Sequence, residues 1–150
     1  MKTALTLLIL IIASLAVRNT EAYCFTEAGL RYKINPLVLY AIAKQESGFN
    51  PKAHHLNLDG SYDFSLMQIN SSWLAPLAKY GIHEADLLKD ACLSVQVGAW
   101  ILAQNMNTYA GRPNSYWSAV GAYNAGTSSK NDNKRMSYAW LIYKHMASAK

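Results

Sequence analysis

Glu46-Ser47-Gly48-Phe49-Asn50-Pro51, followed by Asp59-Gly60-Ser61-Tyr62-Asp63-Phe64-Ser65-Leu66-Met67-Gln68-Ile69-Asn70, is the stretch that decides how this chain folds. Upstream of it, Asn35-Pro36 sets a capping residue before proline at the first helical position, and an apolar pattern runs from Leu37 to Ser47 until Gly48 stops it. At about 100° per residue, Leu39, Ile42, Ala43 and Glu46 share one stripe, so the Glu46 carboxylate points with the apolar face at the helix end. Downstream, residues 50–64 are polar and rich in turn formers. Asp59-Gly60 between Leu58 and Tyr62 predicts a small hairpin with Asp63 on its return strand.

Working outward, Ser71 or Ser72 is the expected cap of a short helix over Trp73 to Tyr80, and Glu84 to Lys89 makes another turn. The longest helix is expected from Asp90 to Tyr109, with Cys92, Val95, Ala99, Leu102, Met106 and Tyr109 on one face, ended by Gly111-Arg112-Pro113. Ser115 opens a helix through Asn124 that Gly126 closes. A polar linker from Thr127 to Asn133 then precedes a last helix reaching Ala147. The expected fold is α+β and mostly helical: one domain in two lobes, with a small β-hairpin facing helices across a substrate cleft. Ten Tyr, four Trp and three Phe, none before Tyr23, are assigned mainly to the core, the default for aromatics at helical spacing. That assignment includes the Trp140, Tyr143 and Met146 stripe, and so counts against membrane disruption by the last helix.

The chain has 150 residues, 51% hydrophobic and 15% charged, which fits one globular domain and excludes collagen-like, low-complexity and disordered classes. Its start is a separate object. Lys2, the apolar run Ala4 to Val17 and the small-x-small site Thr20-Glu21-Ala22 have the layout of a secretory signal peptide, expected to be cleaved after Ala22. The domains expected are therefore a signal peptide over 1–22 and one exported globular domain over 23–150. Without Lys2, Arg18 and Glu21 the net charge falls from +5 to +4. From Ala91 onward the only acid is Asp132, against Arg112, Lys130, Lys134, Arg135, Lys144 and Lys150. That excess favours an anionic surface by long-range attraction. For an exported protein a wall polymer or anionic lipid is the expected partner and nucleic acid is not; a plain solvated basic face is the alternative.

Cys24 and Cys92 are the only cysteines, and an oxidising compartment predicts one disulfide between them. Its loop, from position 24 to position 92, spans 68 residues, worth about 4 kcal/mol in the chain-entropy model. No His/Cys cluster has zinc spacing. The adjacent His54 and His55 diverge on an extended segment and read as exposed residues at the substrate edge, so no metal is expected. With no Gly-rich phosphate loop or nucleophile elbow, no cofactor is expected either.

The chemistry-bearing residues are carboxylates. Cleaving a glycosidic bond requires protonation of the leaving oxygen at neutral pH, which needs an acid kept protonated by an apolar surround. Glu46 is placed for that role. A second carboxylate on the opposite wall, solvated and ionised, stabilises the oxocarbenium-like centre, and Asp63 on a polar hairpin has that setting. The plain alternative is that Glu46 caps or pairs at a helix end and Asp63 is a turn residue.

Three ordered motifs carry a resemblance. Glu46-Ser47-Gly48-Phe49-Asn50-Pro51, Leu66-Met67-Gln68-Ile69-Asn70 and Ala122-Tyr123-Asn124-Ala125-Gly126 resemble those of lytic transglycosylases related to goose-type lysozyme. The match covers the chain from Cys24 to the last helix and includes Gly98-Ala99-Trp100-Ile101-Leu102. It is nearest the small, exported, invasion-associated IagB type linked to secretion, conjugation and pilus assembly. The resemblance implies a lysozyme-like fold and cleavage of the β-1,4 bond between N-acetylmuramic acid and N-acetylglucosamine in peptidoglycan, leaving 1,6-anhydromuramoyl ends. It makes Glu46 the acid and then the base, and places Ser47, Met67, Gln68, Tyr123 and Asn124 at the cleft. Tyr138 matches a tyrosine near the acid, although Asn133-Lys134-Arg135-Met136 replaces the family's usual residues before it.

Two departures bear on mechanism. Ser65 stands where the family has Gly and is expected to tighten that turn. The stretch Asp59 to Asp63, and the 17 positions from 46 to 63, are similar to animal c-type lysozyme, in which a Glu and an Asp divide the roles. A hydrolytic lysozyme using Glu46 and Asp63 is therefore one alternative, and a catalytically silent peptidoglycan-binding scaffold is another. The expected partners are peptidoglycan glycan strands and a component of a secretion, conjugation or pilus machine, with the chain itself a monomer.

Overall fold

The structure, a computed structural model, describes residues 23–149; the expected signal peptide lies outside them. Helix α1 (Phe25–Tyr32) opens the fold and α2 (Pro36–Ser47) follows within its expected bounds. Asn35 Oδ1 accepts from the Leu37 N–H at 3.0 Å, and Gly48, at φ 57°, ends α2 with its N–H directed at the Ala43 and Lys44 carbonyls. Val38, Leu39, Ala41, Ile42 and Ala43 are all fully buried, so α2 is enclosed on most sides rather than along one stripe.

Strands β1 (His54–Leu56), β2 (Tyr62–Phe64) and β3 (Ile69–Asn70) form one antiparallel sheet in that order. The hairpin is wider than the two-residue turn expected at Asp59-Gly60. Leu56 pairs with Tyr62 and the loop spans residues 57–61, closed by the Asn57 N–H on the Ser61 carbonyl at 2.8 Å. Asp59 Oδ1 takes both the N–H and the hydroxyl of Ser61, at 3.0 and 2.7 Å, so a side chain shapes the bend and Leu58 is left exposed. His54 and His55 therefore lie on a strand. Strand β3 was not foreseen, since two residues are too short to show a period.

A 3₁₀ turn (Ser71–Trp73) and a short α3 (Leu74–Ala78) replace the single helix expected over residues 73–80. The cap is Asn70, whose Oδ1 accepts from the Ser72 N–H at 3.0 Å, because the Ser71 hydroxyl is taken by the Tyr62 N–H at 3.1 Å. Then come α4 (Glu84–Lys89), α5 (Ala91–Tyr109, capped by Asp90), α6 (Ser115–Ala125) and α7 (Asp132–Ala147). Helix α6 packs on α5 and α7, and α7 on α2. The helices form one wall of a cleft and the sheet the other. The Cys24–Cys92 disulfide joins the start of α1 to the first turn of α5.

One core assignment is overturned. Trp140 is 58% exposed and Tyr143 is 47% exposed, while only Met146 of that stripe packs against the core. Helix α7 lies at the edge of the fold and buries Arg135, Tyr138, Ala139 and Ile142 instead, so the face bearing Trp140 is left outward.

Candidate active site

The last turn of α2 delivers Glu46 into a cleft of about 990 Å³ between sheet and helices. Burial against the core raises its carboxyl from the ordinary 4.5 to about 7; a hydrogen bond from Tyr138 partly offsets the rise, and the Asp63 charge adds to it. The Tyr138 hydroxyl, carried by α7, donates to Glu46 Oε1 across 92 positions of sequence. A carboxyl near 7 is half protonated at neutral pH, the condition for donating a proton to a leaving oxygen and then taking one back.

Asp63 lines the same cleft from β2. Asn57 Nδ2 donates to its Oδ2 at 3.0 Å and Asn70 Nδ2 to its Oδ1 at 2.8 Å, so both oxygens are held by neutral amides. The expectation that the two carboxylates share one cleft is met. The amide partners were not foreseen, because each depends on strand register rather than on local pattern.

Gln68 also lines the cleft, at φ 47°, with Nε2 donating to the Ala53 and Ser65 carbonyls at 3.1 and 3.0 Å. Tyr123 and Asn124 enter from the end of α6. The Tyr123 hydroxyl donates to the Met67 carbonyl at 2.9 Å and pins the sheet side to α6. This close approach requires Gly98 on α5: a Cβ there would stand 2.9 Å from that hydroxyl and 2.8 Å from the Met67 terminal methyl.

Met67 occupies a position other than the one expected. Met67 has no exposed surface and lies beneath the cleft, so its side chain offers nothing to a glycan. The Ser47 hydroxyl lies 2.7 Å from the Leu66 carbonyl and 3.1 Å from that of Ala43, tying the end of α2 to the segment before β3. Met67 thus lies under the site, and the Ser47 hydroxyl is held by backbone carbonyls. Ser65 takes φ 69°, the left-handed region where Gly is favoured, at a cost of about 1–2 kcal/mol. Its buried hydroxyl lies 2.8 Å from that of Ser94, which accepts the Met67 N–H at 3.2 Å, and these bonds offset the strain.

Trp73 and Asn105 are cleft residues that sequence reading missed. Trp73 packs edge-on to Trp100 with ring centroids 5.3 Å apart and gives the cleft an aromatic surface. Its only signal was an aromatic just after the Asn70 motif. Among the described residues, Cys24, Glu27 and Cys92 are grouped closely enough to suggest a metal, but both sulfurs are spent on the disulfide.

Residues 23–146 match the family model described as Transglycosylase SLT domain. The chain is 45% identical over 137 residues to "Invasion protein IagB" of Salmonella typhimurium, covering 91% of this chain and 83% of that protein. It is 46% identical over 124 residues to "Protein IpgF" of Shigella flexneri, covering 83% and 79%. It is 38% identical over 127 residues to a "Peptidoglycan-binding-like protein" of Escherichia coli O157:H7, covering 80% and 74%.

Proposed function

The chain belongs to the SLT transglycosylase family and is a lytic transglycosylase acting on peptidoglycan, and on that premise we propose that Glu46 is its acid and base. The observation that carries this role is the Glu46 carboxyl, raised to about 7 and hydrogen-bonded by Tyr138, in a cleft that also holds Asp63. Protonated Glu46 gives its proton to the glycosidic oxygen of the leaving N-acetylglucosamine as the C1–O bond of N-acetylmuramic acid breaks. The substrate N-acetyl group holds the electron-poor C1. Glu46, now a carboxylate, takes the proton of the muramic 6-hydroxyl as that oxygen closes on C1, giving the 1,6-anhydro end and restoring the acid. Gln68, Tyr123, Asn124 and Trp73 line the glycan path.

Asp63 supports a second reading, hydrolysis, because a second carboxylate across the cleft stabilises the same centre while water attacks. Mass spectrometry of muropeptides released from purified sacculi separates the two. Products lighter by one water are expected; reducing ends would establish hydrolysis. No product from the folded protein would favour the scaffold reading.

Asp63→Asn is expected to lower turnover about tenfold or more if the charge serves C1, and to shift the alkaline limb of the pH profile downward, because the Asp63 charge raises the Glu46 pKa. Nearly full turnover in the folded variant would remove Asp63 from the mechanism. Tyr138→Phe has the opposite pH effect. Losing the bond that lowers the Glu46 pKa moves the limb upward, with turnover at neutral pH down about tenfold through lost orientation. A limb that stays in place would separate Tyr138 from the acid.

A peptidoglycan substrate implies an exported enzyme. We place it in the periplasm after cleavage behind Ala22, as a monomer that opens the wall locally for a secretion, conjugation or pilus machine. The name of the invasion-protein relative supports that setting. Recovery of such a component with the Glu46→Gln protein from cells is the expected result, and recovery of none would count against it.

A further inference from the structure

The aromatic cluster that the fold leaves outside lies on the side of α7 away from the cleft. Tyr138 points at Glu46; Trp140, two residues on and about 200° around the helix, points the opposite way. Met136, Trp140 and Tyr143 are 46%, 58% and 47% exposed, and among the described residues none of the three belongs to the core or lines the cleft. The rings are continuous: Trp140 stacks on Tyr143 at 5.3 Å, Tyr143 meets Trp117 edge-on at 5.9 Å, and Trp117 meets Tyr116 at 5.2 Å. A contiguous apolar surface of this kind marks an interaction site.

Charge indicates what covers it. From Gly111 to Ala149 the exposed cations are Arg112, Lys130, Lys134 and Lys144, with Lys144 one turn beyond Trp140. The only acid in that span, Asp132, is spent on the buried Arg135. Trp and Tyr rings are at home at the headgroup level of a bilayer, and lysines beside them meet lipid phosphates. Lysine is depleted in protein–protein interfaces, and a second copy of this chain would bring like charges together.

We infer that the Met136–Trp140–Tyr143 face of α7, with Tyr116 and Trp117 of α6, docks the enzyme on a membrane surface rich in anionic phospholipid. The cleft then faces away from the lipid, toward the wall. Docking needs no turnover, so its failure would leave the transglycosylase reading untouched.

The test is co-sedimentation of the chain from Tyr23 onward, which holds every described element, with vesicles of phosphatidylglycerol and phosphatidylcholine or of phosphatidylcholine alone. Expected is partition onto the anionic vesicles that weakens with salt. It should fall about tenfold or more in Trp140→Ser/Tyr143→Ser and about fivefold in Lys144→Gln, which removes one positive charge. Both variants should remain folded, and muropeptide release should be unchanged in both. Absence of partition would overturn the inference, as would binding that survives the double variant or ignores phosphatidylglycerol. Dimerisation in velocity sedimentation that the double variant abolishes would assign the face to a second copy instead.

Discussion

Glu46→Gln is expected to reduce muropeptide release by about two to four orders of magnitude, the usual worth of a positioned acid–base group. The amide cannot give up a proton to the leaving oxygen or accept one from the 6-hydroxyl, yet its carbonyl still accepts from Tyr138, so the cleft keeps its shape. In the wild type the donating form is lost as pH rises through about 7. Turnover should therefore fall on that side, with the limb absent from any residual activity of the variant.

The same substitution tests the cause of the shift. A folded-state value near 7 against 4.5 in the unfolded chain means that the folded protein binds the proton more tightly. The stability that this contributes is fully present below about 4.5 and is lost as pH rises through about 7. Gln carries no such penalty. Above neutral pH the variant should gain up to about 3 kcal/mol relative to wild type, and none at acid pH. Urea midpoints across that range read the difference. Equal pH dependence in both proteins would show that Glu46 is not desolvated in the fold.

Loss of the Cys24–Cys92 bond is the other large effect. It closes a loop of 68 residues and ties α1 to the start of the central α5. Opening it should cost about 4 kcal/mol, or a fall in Tm of more than about 10 °C for a domain of this size. Cys24→Ser/Cys92→Ser and the reduced wild type should agree, with the alkaline limb of activity unmoved at temperatures where both remain folded. A loss below about 1 kcal/mol would mean that α1 is held by packing alone.

Much of this was legible because it is local. Asn35-Pro36 and Gly48 bound α2 through capping and backbone preference within one turn, and the stripe through Leu39, Ile42 and Glu46 carries the acid to the apolar side by helix geometry alone. Asp90 and Gly126 acted in the same way on α5 and α6. The hairpin was legible in place but not in width, because Asp59 closes its loop on Ser61 with a side-chain bond that competes with the two-residue turn.

By itself the sequence determined α2, α4, α5, α6 and α7, the two cysteines that pair, the family motifs and the two carboxylates of the cleft, since caps, periodicity and residue chemistry are properties of neighbouring residues. Only the tertiary structure decided the rest. Tyr138 meets Glu46 across 92 positions, Asn57 and Asn70 hold Asp63 through strand register, and Met67 lies beneath the cleft because Gly98 lets α5 come close. Trp140 and Tyr143 show the same limit from the other side. Their spacing reads as core, and whether a helix face is covered depends on which element packs against it, a fact that no stretch of α7 contains.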